Sequence, residues 1–424
     1  MMKRGRWRRA AIRGLRMLAR PVRRAQGKDG LVLEPYRGYG SHAEIFLIGR
    51  AFRQSRPDGA GAEGSLPVLL RDVRRRITRR PIRGARITAR FGGSELQVTA
   101  DRDGYFRIHL RPHSIPPGDG GWHAVDLVLA ADPPVRATGQ VFIPPARCRC
   151  VVISDIDDTV MRTGVANKLK MLWRLFVADA ASRVAFPGAA ALYRALHAGA
   201  AGNESNPMLY VSRAPWGIYD MLTAFFRRHA IPEGPVMFLR EWGLSWRHPL
   251  PRRAEEHKRD LIVHMLRLYA DLPFVLIGDS GQHDPEVYAE IVAAHPGRVV
   301  AVYIRNVSYD AARIAEIERL AASVTAARSS LVLAADSVAM AEHAAGLGLI
   351  APEAVAAVAA ERRTADTPEP AAEIRRIDAS TAEPAAGDRL RDALDGVSDG
   401  PPNLVVEAQP RDRTNGAQGA RPPG

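Results

Sequence analysis

Val151-Val152-Ile153-Ser154 is an uninterrupted run of strand-favouring residues that ends directly in Asp155-Ile156-Asp157-Asp158-Thr159. A run without polar alternation offers no face to water, so it predicts a strand covered on both sides, in the interior of a parallel sheet. Ligands of such sheets sit beyond the carboxyl ends of the strands, which is where Asp155 and Asp157 fall. Two carboxylates this close repel each other unless a cation is shared between them. The pattern asks for a metal. A calcium loop needs glycine at its sixth position and glutamate at its twelfth, and counting from Asp155 those positions hold Val160 and Ala166. An acidic turn closing a strand is the plainer alternative for this stretch taken alone.

The chain has 424 residues, room for two or three domains, and its 46% hydrophobic and 25% charged residues suit a globular protein. No run of residues is apolar enough to span a bilayer, and arginines interrupt every potential signal-peptide core, so export by that route is not expected. Cys148 and Cys150 are the only cysteines. They exclude a disulfide framework, fit strand packing better than a zinc site, and place the expectation in the cytoplasm. The net charge of +14 is concentrated in two segments. Residues 1–28 hold nine arginines and two lysines without an acid, and residues 71–86 hold eight arginines and one aspartate, which leaves the remainder slightly acidic. Attraction to an anionic surface therefore belongs to segments, not to the whole molecule.

In the first of these, Trp7, Ala11, Ile12, Leu15, Leu18 and Ala19 share one side of a helical wheel and Arg6, Arg9, Arg13, Arg16 and Arg20 the other, with Pro21 to end the helix. A basic amphipathic helix reads as an anchor on an anionic membrane surface. A disordered arginine-rich tail and a nucleic-acid-binding arm are the alternatives, and nucleic acid is not the expected partner. Residues 30–147 read as a β-rich, sandwich-like domain. Ile87, Ala89 and Phe91 alternate with polar neighbours, as do Phe106, Ile108 and Leu110, and Val125, Leu127 and Leu129. Asp103-Gly104 gives a hairpin signal. From Cys148 onward strands expected at 149–154, 207–212, 235–239, 273–278 and 299–304 alternate with helices at 187–198, 217–229 and 256–270, which implies a parallel sheet.

Three of those strands end in polar groups: Asp155, Ser212 in Met208-Leu209-Tyr210-Val211-Ser212-Arg213, and Asp279 in Phe274-Val275-Leu276-Ile277-Gly278-Asp279-Ser280-Gly281-Gln282-His283-Asp284. Lys258, in His257-Lys258-Arg259-Asp260, opens a helix between the last two. Taken singly these are a helix cap, a solvated lysine and an acidic turn. In this order they resemble the four motifs of the haloacid-dehalogenase-like (HAD) phosphohydrolases. Asp155-Ile156-Asp157-Asp158-Thr159, Tyr210-Val211-Ser212 with Pro215-Trp216, His257-Lys258 and the run from Gly278 to Pro285 together resemble the catalytic domain of the actin-patch-associated phosphatidate phosphatase family. The likeness covers roughly 148–308, and Gly38-Tyr39-Gly40 and Asp103-Gly104-Tyr105-Phe106 extend it into the β-rich region. It departs at Arg213, Ala214 and Gly217, which bears on substrate preference more than on chemistry.

The resemblance implies an α/β fold: a HAD-like Rossmannoid parallel sheet with a small or absent cap, preceded by the all-β domain. The expected division is a basic arm over 1–29, the β-rich domain over 30–147, the catalytic domain over 148–310, an extension with helices and an edge strand over 311–363, and a disordered tail over 364–424. It also implies roles. Asp155 is the nucleophile, and Asp157 the general acid and base. Ser212 and Lys258 hold the non-reacting phosphoryl oxygens, and Thr159 hydrogen-bonds beside the flap that follows. Mg²⁺ suits the all-oxygen set of Asp155, the Asp157 carbonyl and Asp279, with Asp284 reaching it through water or orienting Lys258.

The implied activity is Mg²⁺-dependent hydrolysis of phosphatidate to diacylglycerol by a cytoplasmic protein peripheral at the inner face of the membrane. A phosphatase acting on a soluble phosphomonoester or a nucleic-acid end, and a non-catalytic module that binds anionic membranes, are the competing readings. Residues 240–253, with Trp242, Trp246, Arg240, Arg247, Arg252 and Arg253, follow the third strand. They read either as an interfacial contact near the site rim or as a surface loop with buried indoles.

Overall fold

The computed structural model of the protein describes residues 30–54, 79–118, 120–156, 188–212, 216, 219–238, 254–307, 310–366 and 404–406. The basic arm, most of the arginine-dense 71–86 stretch, Asp157, Thr159, the 165–180 flap region and the Trp/Arg stretch at 240–253 lie outside the described residues.

Alternation of apolar and polar residues builds the first region. Its strands are β1 (Leu31–Pro35), β2 (Arg37–Gly40), β3 (Ile45–Arg53), β4 (Arg80–Pro81), β5 (Arg86–Phe91), β6 (Ser94–Thr99), β7 (Tyr105–Leu110), β8 (Trp122–Leu129) and β9 (Val135–Phe142). Inward residues such as Ile87, Phe106, Ile108, Val125 and Leu127 share one core with Ile45 and Leu47. Among the described residues the strands do not divide into two separate sandwich sheets. β3 pairs with β1, β2, β4 and β7, and β2 continues through β9, β8 and β5 to β6, so the strands stay in one hydrogen-bonded sheet around that core. All these pairs are antiparallel except β2 with β9. The Asp103-Gly104 turn forms, with Gly104 at φ +81°, but it joins β6, which pairs with β5, to β7, which pairs with β3. The tight hairpin lies instead between β5 and β6, where Gly92 and Gly93 both take positive φ, as a two-residue turn matched to strand twist requires.

The second region is doubly wound. β10 (Val151–Asp155), β11 (Met208–Ser212), β12 (Val236–Phe238), β13 (Phe274–Asp279), β14 (Val299–Arg305) and β15 (Ser330–Ala334) run parallel in the order β12-β11-β10-β13-β14-β15. Helices α1 (Ala189–Ala198) and α2 (Tyr219–Arg228) pack on one face; α3 (Ala254–Leu268), α4 (Asp284–Ala294) and α5 (Ala311–Ala326) pack on the other. α6 (Ser337–Gly346) and α7 (Ala354–Asp366) return to the first face, where Met340, Ala341, Ala344 and Val358 join its core. Burial on both faces explains why these strands read as unbroken apolar runs.

Two differences from the sequence reading concern the C-terminal part. The extension over 311–363 supplies β15 where an edge strand is expected, but β16 (Leu404–Val406) pairs antiparallel with β15 and covers that edge. That pairing also means the 364–424 stretch is not without structure throughout, and α7 itself continues to Asp366. Cys148 and Cys150 precede β10 rather than lying in it; both thiols are free and buried, and burial pushes each up to about 12, so they are inert packing groups.

The entry into β10 is fixed by Asn206, which is fully buried. Its Oδ1 accepts from the Arg149 and Cys150 N–H groups at 2.8 and 3.2 Å, and its Nδ2 donates to Leu196 O and Glu204 Oε2, each at 2.9 Å. The β-rich region docks on the α/β region through aromatic contacts. Tyr36 stacks on Trp216 at 4.3 Å and meets Tyr219 at 4.5 Å, and the Arg37 N–H donates to the Tyr219 hydroxyl at 2.9 Å. On the other side of the sheet, His264 of α3 meets Phe46 edge-on at 5.1 Å and Tyr39 at 6.2 Å.

Burial holds the His264 imidazole below its ordinary value of 6.5, with His109 and Arg267 adding to the depression and Glu44 opposing it. The unfolded chain therefore binds a proton that the docked imidazole resists. This stability is present above pH 6.5 and is lost as pH falls through the lower folded value. Thermal unfolding followed at pH 7.5 and 5.5 should show a smaller acid-side loss in His264→Gln than in the wild type. Equal losses would assign the acid sensitivity to another group.

Candidate active site

Asp155, Ser212 and Asp279 are the last residues of three neighbouring parallel strands. The register sets Asp155 against Val211 and Ser154 against Ile277, so the three side chains lie within one residue of the same level. The strand order reverses between β10 and β13, the switch point at which sheets of this kind bind their ligands. Asp155 and Asp279 flank that reversal.

Lys258, in the second turn of α3, is 1% exposed. Its Nζ donates to Asp155 Oδ2 and to Asp284 Oδ1, and it lies 5.6 Å from the centre of the Tyr288 ring. Burial alone would lower its pKa, but Asp155 and Asp284 outweigh burial and hold it charged, well above the usual lysine range. The cost falls on Asp284, which burial raises to about 7 against the pull of Lys258. Asp284 is the first residue of α4, with Pro285 behind it, a position where the helix dipole favours an acid.

Asp284 is tied to Asp279 through the main chain: its Oδ2 accepts from the Asp279 N–H at 3.3 Å. Gly278 makes this approach possible, since a Cβ there would lie 2.3 Å from Asp284 Oδ2. The Asp279 Oδ1 accepts from the Gly281 N–H at 2.7 Å, which turns the loop after β13 back over its own carboxylate. Below it, Ser280 Oγ accepts from the Val307 N–H at 2.9 Å and donates to Asn306 Oδ1 at 3.3 Å. Arg305 is the register partner of Asp279; burial lowers its pKa to about 10, while Tyr193, Asp336 and Asp279 keep it cationic, and it donates to Ser337 Oγ at 3.1 Å.

The structure thus brings together Asp155, Lys258, Asp279 and Asp284, with Ser212 buried on the adjacent strand end. Asp157 and Thr159 lie outside the described residues. The structural role of Gly278 was not read from the sequence, although a glycine inside an otherwise apolar strand is a recognised sign of close approach. Arg305 carried no such signal.

The site can be compared with known proteins. Residues 150–306 match the family model described as "Phosphatidate phosphatase APP1, catalytic domain". The likeness is to that catalytic domain alone. The phosphatidate phosphatase APP1 of Saccharomyces cerevisiae is 31% identical over 155 residues, and an uncharacterized protein of Schizosaccharomyces pombe is 28% identical over 159. These alignments cover 36% and 38% of this chain but only 25% of each relative's length. A solved carbohydrate acetylesterase from Xanthomonas citri aligns with 68% of this chain and 71% of its own at 11% identity, with a TM-score of 0.23, too low to bear on fold or function. The APP1 match begins directly before β10 and stops just after β14, so it spans every described site residue and leaves the β-rich region, α5, α6 and α7 outside.

Among the described residues no three acidic, histidine or cysteine side chains gather into a metal cage. Asp155 and Asp279 nevertheless supply carboxylate oxygens at neighbouring strand ends. That donor set fits Mg²⁺, which keeps several waters and takes one or two protein carboxylates in preference to a full cage.

Proposed function

We propose that this protein is a Mg²⁺-dependent phosphatidate phosphatase that hydrolyses phosphatidate to diacylglycerol and phosphate through an aspartyl-phosphate, on a HAD-like framework. The observation that carries the reading is the buried Lys258 bridge between Asp155 and Asp284 at the sheet's switch point. A carboxylate held beside a fixed ammonium is oriented for attack on phosphorus, and the ammonium stabilises charge on the non-reacting oxygens. The yeast relative's name supplies the substrate class.

In this reading Asp155 attacks phosphorus, and the ester P–O bond breaks. Asp157 gives its proton to the leaving alkoxide, then takes one from the water that cleaves the acyl-phosphate. Ser212 donates to a phosphoryl oxygen from the neighbouring strand end, and Thr159 hydrogen-bonds beside the flap that follows it. Asp155, Asp279 and the Asp157 carbonyl would hold Mg²⁺, with Asp284 behind Lys258 or reaching the ion through water. When bound, the ion would polarise the phosphoryl group and offset the crowded carboxylates. The basic arm at 1–28 and the Trp/Arg stretch at 240–253 would bring the site to an anionic membrane surface, at the inner face for a cytoplasmic protein. Among the described residues no helix is long and apolar enough to cross a membrane.

The test is phosphate release from phosphatidate in mixed micelles, compared with a panel of soluble phosphomonoesters, with Mg²⁺ and with EDTA. Release from phosphatidate well above the panel, abolished by EDTA, is expected. Release confined to soluble esters would keep the chemistry and discard the lipid. No release from any of them would favour the non-catalytic membrane module.

A further inference from the structure

We infer that Arg313, on α5 and beyond the end of the APP1 match, is the positioning residue for the loop that carries Asp279 and Asp284. This rests on the reading above that Asp279 is a metal ligand. The guanidinium has five N–H donors in a rigid fork, and here each meets an acceptor. Nε donates to Ser280 O at 3.0 Å, and Nη2 to Gln282 O at 2.5 Å and Glu286 Oε2 at 3.1 Å. Nη1 donates to Glu286 Oε1 and to Glu316 Oε2, the latter at 2.7 Å.

The two carbonyls belong to the loop between the two site aspartates, and Glu286 lies in the first turn of the helix that Asp284 opens. One side chain thus ties both ends of the Asp279–Asp284 segment to α5. On its other side the loop is held by the Val307 N–H to Ser280 Oγ, so it is gripped between the end of β14 and α5. The hydrogen bonds from Arg313 draw Glu286 below its usual carboxylate range despite burial, which keeps the pair ionised. The side chain is 17% exposed, so solvent does little to loosen the arrangement.

A purely structural arginine could pin α4 to α5 through Glu286 alone, with Glu316 of its own helix bracing the guanidinium. The two carbonyl bonds do something further. They set the direction of the chain from Ser280 to Gln282, and with it the Gly281 N–H that fixes Asp279 Oδ1. Groups that orient a metal's direct ligands typically change its affinity by about 10- to 100-fold when removed.

The experiment compares wild type, Arg313→Ala, Arg313→Lys and Asp279→Asn. Mg²⁺ binding is measured by calorimetry without substrate, hydrogen exchange across 279–284 in metal-free protein, and kcat and KM on a soluble phosphomonoester. Both Arg313 variants should bind Mg²⁺ at least about tenfold more weakly and exchange the loop amides faster, with KM at saturating Mg²⁺ within about threefold of wild type. Lysine should not rescue, because three donors on one nitrogen cannot span two carbonyls and a carboxylate. Asp279→Asn must weaken Mg²⁺ too. If it does not, the metal reading fails and the inference falls with it. If it does while both Arg313 variants bind Mg²⁺ and protect the loop like wild type, Arg313 only joins helices and the inference is overturned. Should Arg313→Ala not fold, Arg313→Lys decides by the same readouts.

Discussion

Asp155→Asn should lower turnover by at least about 10⁴-fold while leaving the fold intact. Asparagine keeps the shape of the side chain but replaces the attacking oxygen by an amide, which cannot form the acyl-phosphate. Stability should not fall. Asp155, Asp279 and Asp284 are crowded with one lysine, so the wild-type cluster carries excess negative charge in a buried place. Removing the Asp155 charge relieves repulsion that helps to raise Asp284 to about 7. In the variant Asp284 should therefore titrate lower, paired one-to-one with Lys258. Side-chain carboxyl NMR of the metal-free proteins would follow that shift, and single-turnover phosphate release would follow the chemistry. Turnover near the wild-type level would mean that Asp155 is not the nucleophile. A large drop in melting temperature would mean that it serves the fold.

The part of this site that was legible in the sequence is the part whose cause is local. Phe274–Asp279 and Val151–Asp155 show their burial as unbroken apolar runs because both faces of a central parallel strand are covered. Their acids stand out against that background. The order in which strands lie side by side is a matter of long-range pairing, and so the position of the switch point came from the fold. The three-residue β16 draws its hydrogen bonds from β15 and shows no periodicity of its own among the prolines and glycines around it. The β-rich region misled for a related reason: Asp103-Gly104 makes the turn its residues favour, yet the turn passes the chain between strands that pair elsewhere. Arg313 was invisible because most of its loop contacts are to backbone carbonyls, which every residue possesses. Tyr36 gave equally little away, since its partners Trp216 and Tyr219 lie in a distant part of the sequence.

Lys258→Met should be the most damaging single change to both stability and activity. Methionine fills a similar volume, so the loss is of charge rather than of packing. It strands Asp155 and Asp284 in the interior without their shared cation, and breaking a buried charge cluster in this way costs about 3–5 kcal/mol. The pH dependence of that loss has a definite sign. Without the ammonium, the burial and the repulsion from Asp155 that already raise Asp284 to about 7 act unopposed, and its folded-state pKa moves further above the unfolded value. The penalty is full where the Asp284 carboxyl must ionise, above its raised pKa, and it shrinks as pH falls toward the ordinary carboxylate range. Urea unfolding at pH 8 and pH 5 should therefore show a larger difference from wild type at pH 8. Lys258→Arg keeps the charge but must fit a planar fork into a slot shaped for one nitrogen, so it should recover some stability and little turnover. Full stability of Lys258→Met at pH 8 would show that the ammonium does not hold the two carboxylates. A stable, inactive Lys258→Arg would instead separate the two duties of this residue: neutralising the carboxylates needs only charge, whereas gripping the phosphoryl oxygens needs a single point donor between them.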